Sequence, residues 1–164
     1  MAEFVSQEMR QYVLLRLGAE EYGLPIKRVQ SIIRYEEPTP VPRAPSGVEG
    51  VVNLRGQVIP LIDLRKLLLG EPIEVTSASR IVVVDSQTGT VGLAVDTVHE
   101  VASIDPSSVR PAPAAVLAAD TSEAFEGVAQ HGDRLVILLD ADKALSGPAF
   151  GPSRSPGQED GADV

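Results

Sequence analysis

The feature that most constrains the fold is a segment that the chain contains twice. Residues 48–68 read VEGVVNLRGQVIPLIDLRKLL, and 77 positions later (Gly127 minus Gly50) residues 125–145 read FEGVAQHGDRLVILLDADKAL. The two copies align without a gap and agree at Glu49, Gly50, Val51, Leu61, Asp63, Lys66 and Leu68. An internal repeat sets the architecture, so this one predicts a pseudo-symmetric pair of small units.

A second match lies upstream and keeps the same order in both halves. The Gly23-Leu24 dipeptide returns 69 positions later (Gly92 minus Gly23) as Gly92-Leu93. The apolar residues that follow also correspond, with Val29 matching Val98 and Ile32 matching Val101. Each half therefore runs from a Gly-Leu strand through a short apolar segment and a Pro-rich link to the repeated hairpin.

The pattern of the repeated segment predicts β-structure. Two Val- and Ile-rich runs, 51–54 and 58–64, flank an Arg55-Gly56 turn, as in a β-hairpin. A short Leu-rich helix at 66–69 should end at Gly70. Strands are also expected at 12–17, 22–26, 80–85, 90–95 and 98–104, whereas 27–33 fits either one helical turn or a strand. We therefore expect an all-β protein of two small five-stranded barrels, about 12–70 and about 80–146, with minor short helices.

Composition limits the class of protein. The chain has 164 residues, no Cys and a formal net charge of −9, which excludes a disulfide framework and argues against nucleic-acid binding. Its start is no signal peptide, and no apolar run approaches the ~20 residues that span a bilayer, so we expect a cytoplasmic protein. Residues 1–9 should be flexible and the Gly/Pro/acid-rich tail, 147–164, disordered. The segment 106–119 should form a loop or weak helix.

The sequence offers little for catalysis. Its two histidines, His99 and His131, fall in different halves, and both are expected at the surface. No nucleophile, phosphate-loop, dinucleotide or zinc motif is present, so we expect neither enzyme activity nor a cofactor or metal. Asp63 and Asp140 occupy matching positions just after a strand, where they should cap the following helical turn through backbone N–H groups.

Positions that differ between the copies are candidates for function. Arg55 at the first hairpin tip corresponds to Gly132 in the second, so the hairpin itself does not need an arginine. An exposed arginine suits a partner's carboxylate, although an ordinary solvated arginine is an equal alternative. The matched residues Val29 and Val98, like Ile32 and Val101, fit either a core or two related apolar patches for two partners.

The motifs together are similar to a known family. Residues 21–32 (EYGLPIKRVQSI), the Asn53-to-Arg65 core NLRGQVIPLIDLR, VGLAVDTVHEV and the VRPAP string from Val109 resemble the CheW-type bacterial chemotaxis coupling proteins over about residues 10–146. The resemblance implies two SH3-like barrels around a shared interface and a non-enzymatic adaptor. Its implied partners are the regulatory domain of a CheA-type histidine kinase, the cytoplasmic tip of chemoreceptors in membrane arrays and, in arrays, similar CheW-like barrels.

The resemblance also implies roles for individual residues. It assigns Val29, Ser31, Gly50 and Arg55 to the kinase side, and Val98, His99 and Val101 to the receptor side. One departure is Ser31, where the family commonly has an acid that would pair with the arginine of the hairpin. Arg55 should therefore pair with Glu36 or Glu37, or remain free for a partner.

Two other functions remain open at this stage. The adaptor could serve a non-flagellar pathway, such as pilus motility or development, instead of flagellar chemotaxis. A small-barrel nucleic-acid binder is a different class, which the acidic charge and the lack of an aromatic stripe oppose.

Overall fold

The computed structural model describes residues 9–111 and 124–145. The flexible start expected at 1–9, apart from Met9, lies outside these ranges. So do the tail at 147–164 and most of the loop expected at 106–119. Within the described part, Pro106–Ser108 forms one 3₁₀ turn.

The described residues form ten strands and two short α-helices. The strands are β1 (Arg10–Leu17), β2 (Glu20–Pro25), β3 (Val29–Arg34), β4 (Val48–Leu54), β5 (Gln57–Asp63), β6 (Arg80–Ser86), β7 (Gly89–Val95), β8 (Thr97–Ile104), β9 (Phe125–His131) and β10 (Arg134–Leu139). The helices are α1 (Leu64–Leu69) and α2 (Ala141–Ala144). The all-β class with minor helices is therefore confirmed.

The strands form two five-stranded sheets. The first sheet has the order β8-β1-β2-β10-β9 and the second has the order β3-β6-β7-β5-β4. Each sheet thus contains strands from both halves of the chain, and the expectation that 12–70 and 80–146 each form one barrel is wrong. A unit of one half alone would bury only about 60% of its unfolded surface, and exchanging strands lets the halves complete each other.

The exchange follows the repeat. In the second sheet β5 pairs in parallel with β7, so that Leu61 lies beside Gly92. In the first sheet β10 pairs in parallel with β2, so that Leu138 lies beside Gly23. These are the same two repeat positions, and each hairpin therefore pairs with the Gly-Leu strand of the other copy.

One short bridge closes each sheet into a barrel. The amide and carbonyl of Thr39 exchange hydrogen bonds of 2.8 and 2.9 Å with Val51 on the outer edge of β4. Arg110 makes the matching pair with Val128 on β9, at 2.9 and 2.7 Å. Because Thr39 and Arg110 follow β3 and β8 in the chain, each bridge joins the two edges of one sheet. The first sheet thus forms the first barrel, and the second sheet forms the second barrel.

The hydrophobic core is largely shared between the barrels. One cluster of buried side chains draws on both sheets and both helices, and it includes Leu15, Leu24, Val84, Leu93 and Leu139. Each barrel also has a smaller core of its own, around Leu14 and Val136 in the first sheet and around Ile59 and Ile81 in the second. The barrels are therefore halves of one packed molecule.

The segment 27–33 forms both of the structures that its sequence allows. A 3₁₀ turn at Ile26–Arg28 leads into strand β3, whose side chains alternate between half-buried and exposed. Val29 packs against the shared core and Ile33 against the smaller core of the second sheet, while Ile32 is 41% exposed. Of the helices in the described ranges, none has the length and apolar character that crossing a bilayer requires.

Candidate functional site

The tip of the β4–β5 hairpin carries a strained arginine. Arg55 and Gly56 form its two-residue turn with positive φ angles of 53° and 85°. Positive φ at both positions is typical of the tight turns that match the twist of a hairpin, and glycine or asparagine normally fills them. The Asn53 side chain supports the turn by accepting a 2.9 Å hydrogen bond from the Gly56 amide.

The hairpin turn does not require an arginine at position 55. The matched position in the β9–β10 hairpin is Gly132, at a φ of 64°. A side chain in this left-handed conformation costs about 1 kcal/mol, which glycine avoids. Among the described residues, no hydrogen bond or ion pair reaches the exposed Arg55 side chain, and neither Glu36 nor Glu37 pairs with it. The structure thus does not show the expected pairing of Arg55 with Glu36 or Glu37, and its side chain is exposed.

Gly50 lies against the chain's own backbone. It is buried, its φ is 155°, and a Cβ placed on it would lie 2.3 Å from the Thr39 carbonyl oxygen. Its repeat partner Gly127 has a φ of 158° and would meet the Arg110 oxygen at 2.6 Å. Both glycines therefore admit the bridges that close the barrels, and the backbone that approaches Gly50 belongs to this chain.

Matched β-bulges shape the two strands that carry the other candidate residues. The register of β3 shifts between Val29 and Ser31, and that of β8 shifts opposite Leu14 and Leu15, between Val98 and Glu100. Gln30 and His99 are thus the extra residues of the two bulges, and a bulge redirects the side chain that it inserts. Val29 and Val98 on either side are half-buried against the shared core.

His99 points into a charged cluster on the first barrel. Its Nε2 lies 2.7 Å from Oε2 of Glu21, whose side chain is 4% exposed. Arg134 donates to the same oxygen at 2.5 Å. His131 lies 3.5 Å from Glu100, which Arg134 also reaches at 3.4 Å. Both histidines are at the surface as expected, and each also lies beside a carboxylate.

The equivalent place on the second barrel has different chemistry. Gln30 donates to the Thr90 hydroxyl at 3.2 Å and also bonds to Asp85. Thr90 is the repeat partner of Glu21, just as Gln30 is the partner of His99. The bulge network is thus common to both barrels, while its ionisable side chains differ.

Exposed apolar side chains also occur in repeat-related pairs. Ile32 on β3 is 41% exposed and its partner Val101 on β8 is 48% exposed. Val58 and Leu135, beside the two hairpin tips, are 61% and 64% exposed. Each barrel therefore exposes one apolar side chain on its bulged strand and one beside its hairpin tip.

The two aspartates cap the helices as predicted from their position. Asp63 accepts a 2.9 Å hydrogen bond from the Lys66 amide and Asp140 accepts one of 3.0 Å from the Lys143 amide. Asp63 also accepts from the Ile73 amide at 3.0 Å. Burial raises the pKa of the Asp63 carboxyl, an effect that these two N–H bonds oppose.

The arrangement is suited to binding by shape and charge. Within the described ranges, no group of three His, Cys, Asp or Glu side chains could hold a metal ion. In the first barrel Arg134 pairs with Glu21 and Glu100, and the hairpin tip of the second barrel offers an exposed guanidinium. These features can bind a protein partner and hold it in a fixed orientation.

Comparison with known proteins identifies the family. The CheW-like domain model matches residues 11–149. The chain belongs to the CheW-like family. Chemotaxis protein CheW of Klebsiella aerogenes is 35% identical over 144 residues, which cover 88% of this chain and 84% of that protein. The Bacillus subtilis protein of the same name is 33% identical over 133 residues, covering 81% and 85%.

A solved structure supports the same assignment. The scaffolding protein TtCheW of Thermoanaerobacter tengcongensis is 31% identical and superposes with a TM-score of 0.77, over 87% of this chain and 91% of its own. This agreement confirms the expected fold of two SH3-like barrels.

Sequence reasoning missed the contacts that join the barrels. Arg65 pairs with Asp96 at 3.1 Å, and Arg28 pairs with Asp142. Each ion pair joins residues far apart in sequence, and the two pairs have opposite polarity. The repeat alignment does place Arg65 against Asp142 (142 minus 77), but these residues carry opposite charges, and the alignment does not indicate which residue each one contacts.

Proposed function

We propose that this protein is a non-enzymatic adaptor that couples chemoreceptors to a CheA-type histidine kinase. Family membership supports the adaptor role, because the solved relative is described as a scaffolding protein. The relatives named chemotaxis protein CheW support the pathway. The adaptor would act in the cytoplasm at receptor arrays, and would meet the membrane only through the receptors.

The observation that supports the proposal most strongly is the backbone conformation of Arg55 together with its exposed side chain. An arginine at this φ angle is unfavourable for folding, the fold accepts glycine at the matched turn, and no residue described here pairs with it. Strain at an exposed residue is usually retained for a function. A guanidinium held on a rigid turn is suited to a carboxylate of a kinase domain, through charge-assisted hydrogen bonds.

The other assigned residues divide between two surfaces. Val29 and Ser31 on β3 lie in the same barrel as Arg55 and would complete the kinase surface. Gly50 would contribute by shaping β4 instead of by touching the kinase, because it is buried. Val98, His99 and Val101 on β8 would form the receptor surface in the other barrel. Contacts between such barrels of neighbouring molecules could extend into rings, since heterologous contacts can close.

The test is calorimetric titration with two ligands, the regulatory domain of the kinase and a receptor fragment that contains the cytoplasmic tip. We expect Arg55→Ala to weaken kinase binding about tenfold or more, the loss of one charge-assisted contact, and to leave receptor binding unchanged. Val101→Asp should do the reverse, because it places a charge on an exposed apolar residue of the receptor surface, outside the shared core. Each variant thus serves as the control for the other.

Folding must be checked in parallel. Arg55→Gly reproduces the turn of the second hairpin, so it should fold at least as stably as the wild type and still lose kinase binding. Wild-type affinity of a folded Arg55→Gly for the kinase domain would contradict the assignment of this surface. Failure of the wild-type protein to bind either ligand would contradict the adaptor role itself.

A further inference from the structure

The chain crosses from one sheet to the other at two corners, and an ion pair fixes each corner. At the first corner, between β7 and β8, Asp96 accepts from Arg65 of α1 at 3.1 Å. It also accepts from the backbone amides of Gly18 at 2.7 Å and Glu74 at 3.1 Å. We call these contacts the first clasp.

The second corner, between β2 and β3, has an ion pair of the opposite polarity. Here Arg28 supplies the cation, and Asp142 of α2 accepts from it. Asp142 also accepts from the backbone amide of Gln87 at 3.1 Å. These contacts form the second clasp.

The clasps occupy equivalent places in the repeat. Arg65 and Asp142 are the second residues of the two capped helices, and 142 minus 65 is the 77-residue offset. Gly18 and Gln87 lie in the two matched turns, at the 69-residue offset. Asp96 matches Lys27, the neighbour of Arg28. In both clasps, therefore, a capped helix, a turn and a corner of the chain meet. The helix supplies the cation in the first clasp and the anion in the second.

Charge reversal shows which property these positions require. If the function required a particular side chain, both copies should have the same residue. If it requires only an ion pair between helix and corner, any two opposite charges are sufficient. Three of the four charged side chains are less than 20% exposed, at 19% for Arg65, 14% for Asp96 and 16% for Asp142, with 34% for Arg28. Pairs shielded to this degree hold their geometry better than solvated surface pairs.

Each clasp immediately precedes a strand with a proposed binding surface. Arg28 is followed by β3, which carries Val29 and Ser31, and Asp96 is followed by β8, which carries Val98 and Val101. At each corner, the helix that contributes to the ion pair follows a strand of the sheet that the chain leaves. The turn whose backbone amide donates a hydrogen bond joins two strands of the sheet that the chain enters. The corner, and so the start of the strand, is held from both barrels.

We propose that the clasps are positioning contacts for partner binding. The Arg28–Asp142 clasp sets β3 for the kinase, and the Arg65–Asp96 clasp sets β8 for the receptor. None of these four side chains needs to touch a partner. The assignment of partners to the two strands rests on the proposed function, whereas the effect of each clasp on its own strand does not.

The experiment compares Arg28→Ala with Arg65→Ala in the full chain. Amide chemical shifts are recorded for both, and affinities for the kinase regulatory domain and the receptor fragment are measured by calorimetry. We expect Arg28→Ala to move the amide signals of β3 and to weaken kinase binding about tenfold, with receptor binding unchanged. Arg65→Ala should move those of β8 and weaken receptor binding by a similar factor.

Matched controls come from the neighbouring lysines. Lys27→Ala removes an exposed cation next to Arg28, and Lys66→Ala removes one next to Arg65 that pairs at the surface with Glu49. Both should behave as the wild type. Arg28→Lys and Arg65→Lys keep the charge and should restore most of the lost affinity. Arg28→Met and Arg65→Met keep the aliphatic packing without the charge and should behave like the alanine variants, which a loss of packing alone would not predict.

The outcomes separate the two proposals. Equal weakening of both partners by both variants, in step with lost stability, would overturn the positioning role while the adaptor function stands. Signals that move throughout the molecule would overturn it as well. If the wild type binds neither ligand, the adaptor proposal fails, and strand-specific shifts of the amide signals still decide whether the clasps position β3 and β8.

Discussion

At the scale of single residues, the repeat separates folding roles from other roles. Asp63 and Asp140 are identical in the two copies and make the same cap, whereas Arg55 and Gly132 differ at the same turn. The structure adds one distinction between the aspartates. Asp63 accepts a second backbone hydrogen bond, from Ile73, which fixes the segment that leaves α1.

This distinction predicts unequal effects of removing the two carboxylates. Asp140→Ala should lower the free energy of unfolding by about 1 kcal/mol, the usual effect of a lost N-cap. Asp63→Ala should lower it by about 2 kcal/mol, because the buried Ile73 amide also loses its acceptor. Urea denaturation of both variants checks the difference, and equal losses would show that the Ile73 bond contributes nothing.

The raised pKa of Asp63 gives this comparison a pH dependence. A carboxyl whose pKa is higher in the folded state contributes stability below its unfolded pKa and loses it as the pH rises through the folded value. The stability of the wild type relative to the non-titrating variant Asp63→Asn should therefore fall between about pH 4 and about pH 7. Urea denaturation at both pH values measures this change, and a rise would mean that the hydrogen bonds outweigh burial.

At the scale of secondary-structure elements, barrel closure depends on two glycines. Strand pairing alone leaves the outer edges of β4 and β9 open, and the bridges from Thr39 and Arg110 cover them. Gly50 and Gly127 allow these bridges, because any Cβ there would overlap the bridging carbonyl group. The repeated Glu-Gly-Val string is thus the sequence signal of barrel closure.

Substituting these glycines should open a barrel edge. We expect Gly50→Ala and Gly127→Ala each to lower the free energy of unfolding by about 3 kcal/mol, from overlap and backbone strain together. Gly89→Ala is the matched control, since Gly89 has a φ of 123° but no atom within 4 Å of a new Cβ. It should lose only about 1 kcal/mol. Equal losses by all three in thermal denaturation would mean that closure is not the reason for the glycines.

At the scale of the whole molecule, exchanged strands and a shared core make the barrels interdependent. Neither half of the chain contains a complete sheet, and the central cluster needs side chains from both. The two proposed partner surfaces therefore lie on barrels that are packed into one molecule. A scaffold that fixes the distance between two partners requires this property.

Interdependence predicts a single unfolding transition. Calorimetry should give one peak whose calorimetric and van't Hoff enthalpies agree, as for a two-state domain. Val84→Ala removes a fully buried side chain from the shared core, so hydrogen exchange should lose protection in both sheets together. Two separated transitions, or a loss confined to the second sheet, would contradict the shared core.

The sequence by itself determined the local and repeated features of this protein. Hairpins, turn residues and helix caps depend on residues close together in the chain, so their signals in Asn53-to-Gly56 and at Asp63 and Asp140 could be interpreted directly. The internal match also established that the units are paired, and the family resemblance identified the SH3-like barrels. The repeat also singled out Arg55, because the second copy has Gly132 at the same turn and the fold therefore does not require an arginine there.

Only the tertiary structure decided how the halves are combined. Parallel pairing of β5 with β7 and of β2 with β10 joins strands far apart in sequence. The local sequence patterns would be the same if each hairpin paired with the Gly-Leu strand of its own half. Burial of a common core favours the exchanged arrangement. The exchange then creates the two corners, where Arg28 meets Asp142 and Arg65 meets Asp96. These contacts could not be predicted from spacing, because they exist only once the barrels are packed together.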